Sequence, residues 1–172
     1  MTMTTRDQAF QNTAQALGYS FDGNLKIGGH YSPLVRDGHT LYISGQIPRV
    51  QNDVVVTGRV GAETDLQQAR LAAQICMMPA LALVQRELGT LDKVRTVLRI
   101  TVYVQCAEDF TQHSEVADGA SHLLSRILGD AGAHTRTSVG VYQLPKNASV
   151  ELDMVVSECT ELVAHSDLST HF

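Results

Sequence analysis

Hydrophobic and polar positions along the chain switch between two periods, and the switches divide it into elements. Residues 5–18 (TRDQAFQNTAQALG) place Phe10, Ala14 and Leu17 at helical spacing with Gly18 as the stop, which predicts a short amphipathic helix. The Gly-rich segment GNLKIGGHYSP that follows reads as loop or edge structure. LVRDGHTLYISGQIP then reads as a hairpin turning at Asp37-Gly38. Residues 50–58 carry Val54, Val55 and Val56 and predict another short strand or an extended loop.

The longest helix has the clearest pattern. Thr64 is placed to cap it, with Gln67 as its capping-box partner and Asp65 in the first turn, where the helix dipole favours a negative charge. Leu66, Ala69, Ala73, Met77, Ala80 and Leu81 keep a helical face until Gly89 ends it, and Pro79 predicts a kink rather than a stop. After Gly89 the period becomes two. In DKVRTVLRITVYVQC, Val94, Thr96, Leu98, Ile100, Val102 and Val104 share one predicted face, and Arg95, Arg99 and Tyr103 the other. A second main helix is predicted over residues 109–128, weakened in its middle by Gly119. TRTSVGVYQL and ASVELDMVVSE then read as a last hairpin joined at Pro145-Lys146-Asn147. Two main helices flanking one mixed sheet, plus an N-terminal helix over residues 1–20, make an α+β fold of two layers.

Parity within that last hairpin sets Arg136, Ser138, Gly140 and Tyr142 opposite to Val139 and Val141, and Ser149, Glu151 and Asp153 opposite to Val150, Leu152, Met154 and Val156. A sheet face carrying Arg, Ser, Tyr, Glu and Asp is either solvated or covered by another subunit with a pocket between. The pattern leaves both open.

Composition narrows the function classes more than the fold. A chain of 172 residues fits a single domain over 1–172, with a polar tail over 160–172. The formal net charge of −5 and the lack of any basic run argue against a nucleic-acid surface. Cys76, Cys106 and Cys159 are widely spaced, without a CxxC pair, and read as reduced and mostly buried thiols. The seven histidines show no HExxH or related spacing, so no metal is expected. Ser44 lacks a GxSxG elbow, and no phosphate-binding glycine motif occurs. The N-terminus lacks the apolar core of a signal peptide, and no apolar run approaches the roughly 18 residues of a membrane span, so a cytoplasmic protein with no membrane partner is expected.

Three motifs, taken in order, carry a resemblance. SGQIP at residues 44–48 follows the first hairpin. RTSVGVYQLP at residues 136–145 fits the pattern Arg-Ser/Thr-x-Val-x-Val-x-x-Leu-Pro. ASVELDMV at residues 148–155 closes the set, with its acidic residue at Glu151. Over about residues 28–157 the chain resembles the reactive intermediate deaminases (the Rid or YjgF-like family, some once described as translation inhibitors or endoribonucleases), and within it a longer branch with an extra N-terminal helix. The resemblance implies a chorismate-mutase-like subunit, assembled as a homotrimer with clefts between subunits. It implies hydrolysis of a small 2-imino or 2-enamino acid to a 2-keto acid and ammonia, with no cofactor.

Carried onto this sequence, the resemblance makes Arg136 the holder of the substrate carboxylate, a task suited to a planar two-pronged guanidinium. It makes Glu151 the group that positions or activates water, and puts Tyr31, Ser44 and Ser138 beside the substrate. Two departures bear on substrate range. His30 stands where relatives carry proline before the tyrosine, and Ala117 or Asp118 stands where relatives often carry asparagine. A small-carboxylate-binding or regulatory protein is the alternative, and an RNA-cleaving protein is disfavoured by the charge.

Overall fold

The computed structural model describes residues 5–21 and 29–160; residues 1–4, residues 22–28, which include the first half of the Gly-rich segment, and 161–172 of the polar tail lie outside the described residues. The first helix, α1 (Arg6–Leu17), starts at Thr5, whose side chain accepts from the Gln8 amide, and ends at Gly18 in the left-handed conformation. Its Phe10 and Ala14 are buried against the other helices. Strands β1 (Leu34–Asp37) and β2 (Thr40–Gln46) form the expected hairpin, with Gly38 at positive φ in its turn. The valine-rich stretch supplies only two short strands, β3 (Arg49–Val50) and β4 (Asp53–Val54), which pair with each other outside the main sheet.

The long helix α2 (Leu66–Leu88) is capped one residue later than the pattern suggested. Asp65 accepts from the Gln68 amide at 2.8 Å, and the Gln68 side chain accepts from the Asp65 amide at 3.0 Å. Thr64 instead turns its hydroxyl toward the preceding loop, where it donates to the Thr57 carbonyl at 2.8 Å. The helix continues through Pro79 and stops at Gly89. Residues 75–81 are buried on every side, because the sheet lies under α2 while α1 and α3 (His113–Leu128) lie against it. Gly119, a weak point by propensity, is where α3 meets the α2 backbone.

Strand β5 (Val94–Gln105) breaks the expected alternation. Two irregularities, between Val94 and Thr96 and between Val97 and Arg99, shift its early residues. As a result Val97 is buried and Leu98 is 42% exposed, the reverse of strict parity. Strands β6 (Thr135–Val141) and β7 (Val150–Glu158) complete a sheet in the order β1-β2-β7-β5-β6, antiparallel except for β5 and β6. The last two strands are therefore not a hairpin. Helix α3 carries the chain from β5 over to the parallel β6 at the sheet edge, and β7 returns to the middle between β2 and β5. Helices α2 and α3 cover one face, and among the described residues no element packs over the second. Among the described residues no helix is long and apolar enough to cross a membrane. Of the cysteines only Cys76 is buried; Cys106 is half-buried and Cys159 exposed.

Candidate active site

Residues level with one another on paired strands share a sheet face. Arg136 is level with Ile100 of β5, which is level with Met154 of β7, and both of these are fully buried beneath the helices. Ser138 is likewise level with the buried Val102. Arg136 and Ser138 thus lie on the helix side of the edge strand, not on the open face that hairpin parity assigned them. The parity was right within each strand, but the two strands are not neighbours, so their phases do not combine. The open face carries Glu151 level with Tyr103, and Asp153 level with Thr101. Val139, 40% exposed, lies on this face beyond Tyr103.

Around Arg136 the first half of α3 presents hydroxyls and one carboxylate. Nη1 donates to Asp118 Oδ1 at 2.8 Å and to Ser121 Oγ at 2.9 Å, and Nη2 donates to Ser114 Oγ at 2.9 Å. Ser121 Oγ lies 2.9 Å from His134 Nε2, and His134 Nδ1 lies 2.6 Å from the Gly132 carbonyl oxygen. That carbonyl can only accept, so Nδ1 carries a proton, and Ser121 Oγ, placed between His134 Nε2 and the guanidinium, accepts from Arg136. A guanidinium has five N–H donors, and these contacts use three. Two donors remain for a ligand on a side chain that is 21% exposed and held in one orientation. Of the two positions offered for the family's asparagine, Asp118 touches Arg136 while Ala117 is buried in the core. Ser114, Ser121 and His134 were missed. Ser114, Asp118 and Ser121 recur at i, i+4 and i+7, a polar stripe on one face of α3 that the sequence spacing itself carries.

The second group gathers at the irregularity in β2 between Ile43 and Gln46. The Ser44 amide donates to the Pro33 carbonyl at 3.0 Å and its hydroxyl donates to the Ser32 carbonyl at 2.8 Å, which ties the bulge to the loop bearing Tyr31. Tyr31 is 52% exposed. Next to Ser44, Gly45 leaves open the space occupied by the Glu151 carboxyl: a Cβ there would overlap one carboxyl oxygen and lie 3.0 Å from Cδ. Burial, and then the charge of Asp153, push the Glu151 carboxyl above the ordinary range. Tyr103 donates to Asp153 Oδ2 at 3.2 Å, so Asp153 is fixed as an acceptor. Ser44, Glu151 and the Tyr31 loop therefore cluster together, and Arg136 and Ser138 form a separate cluster on the other side of the sheet.

A third pair lies at the far end of β6, where His113 Nε2 sits 3.4 Å from Cys106 Sγ over Gly140. Among the described residues no three of His, Cys, Asp and Glu converge on a point that would hold a metal ion.

Comparison with known proteins agrees with this architecture. The family model described as "YjgF/chorismate_mutase-like, putative endoribonuclease" matches residues 15–158. The chain is 37% identical over 145 residues to Protein TCP17 of Trypanosoma cruzi, covering 83% of this chain and 89% of that protein. It is 27% identical over 129 residues to a 2-iminobutanoate/2-iminopropanoate deaminase of Dermatophagoides farinae, covering 74% and 85%. The crystal structure of Atu1372, a protein of unknown function from Agrobacterium tumefaciens, superposes with a TM-score of 0.80 at 35% identity, covering 90% of this chain and 95% of that one. With the three-motif order, the mixed five-stranded sheet under two helices and these matches in hand, this chain belongs to the Rid/YjgF family.

Proposed function

We propose that the chain hydrolyses small 2-imino acids, formed from 2-aminoacrylate-like enamines, to 2-keto acids and ammonia, in clefts between the subunits of a homotrimer. One observation carries the reading. An oriented arginine with two spare donors and a carboxyl whose pKa is raised by burial are both present, but on opposite faces of one sheet. A single substrate reaches both only if the β6 edge of one subunit meets the open sheet face of another.

In that cleft Arg136 grips the substrate carboxylate through two N–H donors, and Ser138 lies beside it on the same strand. Glu151, Ser44 and Tyr31 of the facing subunit close the other side. The Glu151 carboxylate takes a proton from water as the oxygen adds to the carbon of the protonated C=N group, giving an amino alcohol. It returns that proton to nitrogen, and as the C–N bond breaks and the C=O bond forms the hydroxyl proton passes to the departing ammonia, which leaves as ammonium. A carboxyl pKa raised by burial and by the charge of Asp153 suits both halves of this exchange, since the group gives up and takes back a proton more evenly than an ordinary carboxylate. The imine is already reactive toward water, so orientation of the two partners is the main requirement. No step calls for a metal or organic cofactor.

The carboxylate-binding alternative needs Arg136 alone and gives no role to the space that Gly45 leaves for Glu151. RNA cleavage is disfavoured by a net charge of −5. The deciding experiment generates imines in situ with an amino-acid oxidase and follows their decay with and without the protein. Faster decay at catalytic protein concentration is expected; unchanged decay across several side chains overturns the reading.

A further inference from the structure

The anchor arginine does not stand as a bare positive charge. Asp118 Oδ1 lies 2.8 Å from Nη1, and the Asp118 side chain is 40% exposed against 21% for Arg136, so a ligand that pairs with Arg136 meets the Asp118 charge at close range. The other two partners, Ser114 and Ser121, are neutral and would orient the guanidinium without help. No further Lys, Arg or protonated group is hydrogen-bonded to Asp118 among the described residues, and the pair is close to electrically neutral as a unit. A neutral pair of this kind matches a ligand that also sums to zero: a carboxylate next to a positively charged nitrogen. It mismatches a ligand that carries the carboxylate alone, because such a ligand meets the Asp118 charge with nothing to offset it.

We propose that Asp118 is a specificity-determining residue that makes the Arg136 site prefer zwitterions, meaning the protonated 2-iminio acid or an α-amino acid, over monoanionic 2-keto acids. The inference rests on the reading of Arg136 as the carboxylate anchor and adds a consequence for turnover. Hydrolysis takes the iminium carboxylate and one water to the 2-keto carboxylate and ammonium. Water supplies the oxygen of the new C=O bond, and both of its protons leave with the nitrogen as the C=N bond breaks. No electrons are gained or lost. Once ammonium departs, the bound species has changed from net neutral to net negative in front of Asp118. The same charge that tolerates the substrate expels the product, with no moving part.

The test compares one zwitterion and one anion of similar size, alanine and pyruvate, by NMR titration of the intact protein. Wild type is expected to bind alanine more tightly than pyruvate. Asp118→Asn keeps an oxygen acceptor for Nη1 and removes the charge, so pyruvate binding should tighten, alanine binding should weaken, and the ratio of their dissociation constants should move by roughly tenfold or more, as for one unit charge removed from a partly wet cleft. Ser121→Ala removes a neutral partner of Arg136 and should weaken both ligands together, leaving the ratio unchanged. Asp118→Ser repeats the measurement if the asparagine variant does not fold. If both ligands bind through Arg136, as judged by their loss in Arg136→Ala, and removal of the Asp118 charge leaves their ratio as in wild type, the proposal is overturned while the anchor reading stands. If neither ligand binds wild type, or binding ignores Arg136→Ala, the anchor reading falls and this inference falls with it.

Discussion

Gly119 of α3 rests directly on the backbone of Arg70 in α2: a Cβ at residue 119 would overlap the Arg70 carbonyl oxygen and lie 3.0 and 3.1 Å from its carbonyl carbon and Cα. The helix–helix crossing that supports the Arg136 partners depends on this close approach. Gly119→Ala would gain about 1 kcal/mol of helix propensity. It would also force apart two backbones that cannot yield as a side chain tip can, at a cost of roughly 2–3 kcal/mol or more. The clash wins, and thermal unfolding should show a lower melting temperature. An unchanged or raised melting temperature would refute the crossing.

Gly45 offers the contrasting case. The atoms that a Cβ at residue 45 would meet are the far end of the Glu151 side chain, which can rotate away. Gly45→Ala should cost little stability, within about 1 kcal/mol. Displacing the carboxyl by an ångström or more should nonetheless cut imine hydrolysis by about tenfold or more. Retention of full activity in a folded Gly45→Ala protein would separate Glu151 from the chemistry.

Glu151 also predicts a pH dependence of stability. Burial raises its carboxyl pKa, so the folded chain holds this proton more tightly than the unfolded chain. The stabilisation from this group is fully present below the unfolded value of about 4.3 and is lost as pH rises through the higher folded value. Glu151→Gln cannot ionise. It should melt above wild type at about pH 8, and the difference should shrink toward zero near about pH 4. A variant that melts lower than wild type at high pH would show that the carboxylate is stabilising where it stands.

Elements governed by local patterning were legible: α1 with its Gly18 stop, the β1–β2 hairpin, α2 up to Gly89, and the alternation within β7. Features set by long-range pairing were not. Nothing local to RTSVGVYQLPKNASVELDMV reveals that β5 separates its two strands, since a short turn between two alternating runs is also how a hairpin is written. That one error transferred Arg136 and Ser138 to the wrong face. The bulges that bury Val97 and expose Leu98 are invisible for the same reason, because they are set by the register with β7. Thr64 and Asp65 are both good caps, and local sequence does not show that the loop draws the Thr64 hydroxyl to the Thr57 carbonyl while Asp65 takes the cap. The motif residues themselves were found by resemblance; their partners on α3 come from the fold.

The opposite-face arrangement makes assembly a requirement for the proposed activity. The open face bears Val35, Tyr42 and Val139, large apolar side chains exposed in the single chain. Light scattering should give about three times the 18.7 kDa of one chain. A stable monomer at micromolar concentration would remove the shared cleft. An active monomer would be fatal to the division of labour between Arg136 and Glu151.

Arg136 carries the most direct prediction. Arg136→Ala removes a charge-assisted two-pronged contact to a carboxylate, a loss of about 2–5 kcal/mol in a partly desolvated cleft, so imine hydrolysis should fall by well over tenfold. Arg136→Lys should not restore it, because a point charge cannot reproduce the planar fork nor hold Asp118, Ser121 and Ser114 at once. Because the side chain lies under α3 rather than on the open face, the alanine variant also loses three internal hydrogen bonds. The penalty stays modest: Asp118 is partly exposed and can be hydrated, and Ser121 keeps His134. A folded, assembled protein with a slightly lower melting temperature is therefore expected, and the loss of rate is not explained by unfolding. Two coupled readouts decide the matter, the oxidase-coupled rate and the binding of a small carboxylate. If Arg136→Ala keeps wild-type rates on several 2-imino acids, Arg136 is not the anchor. If wild type binds carboxylates through Arg136 yet leaves imine decay unchanged, the chain is a binding protein built on a deaminase fold.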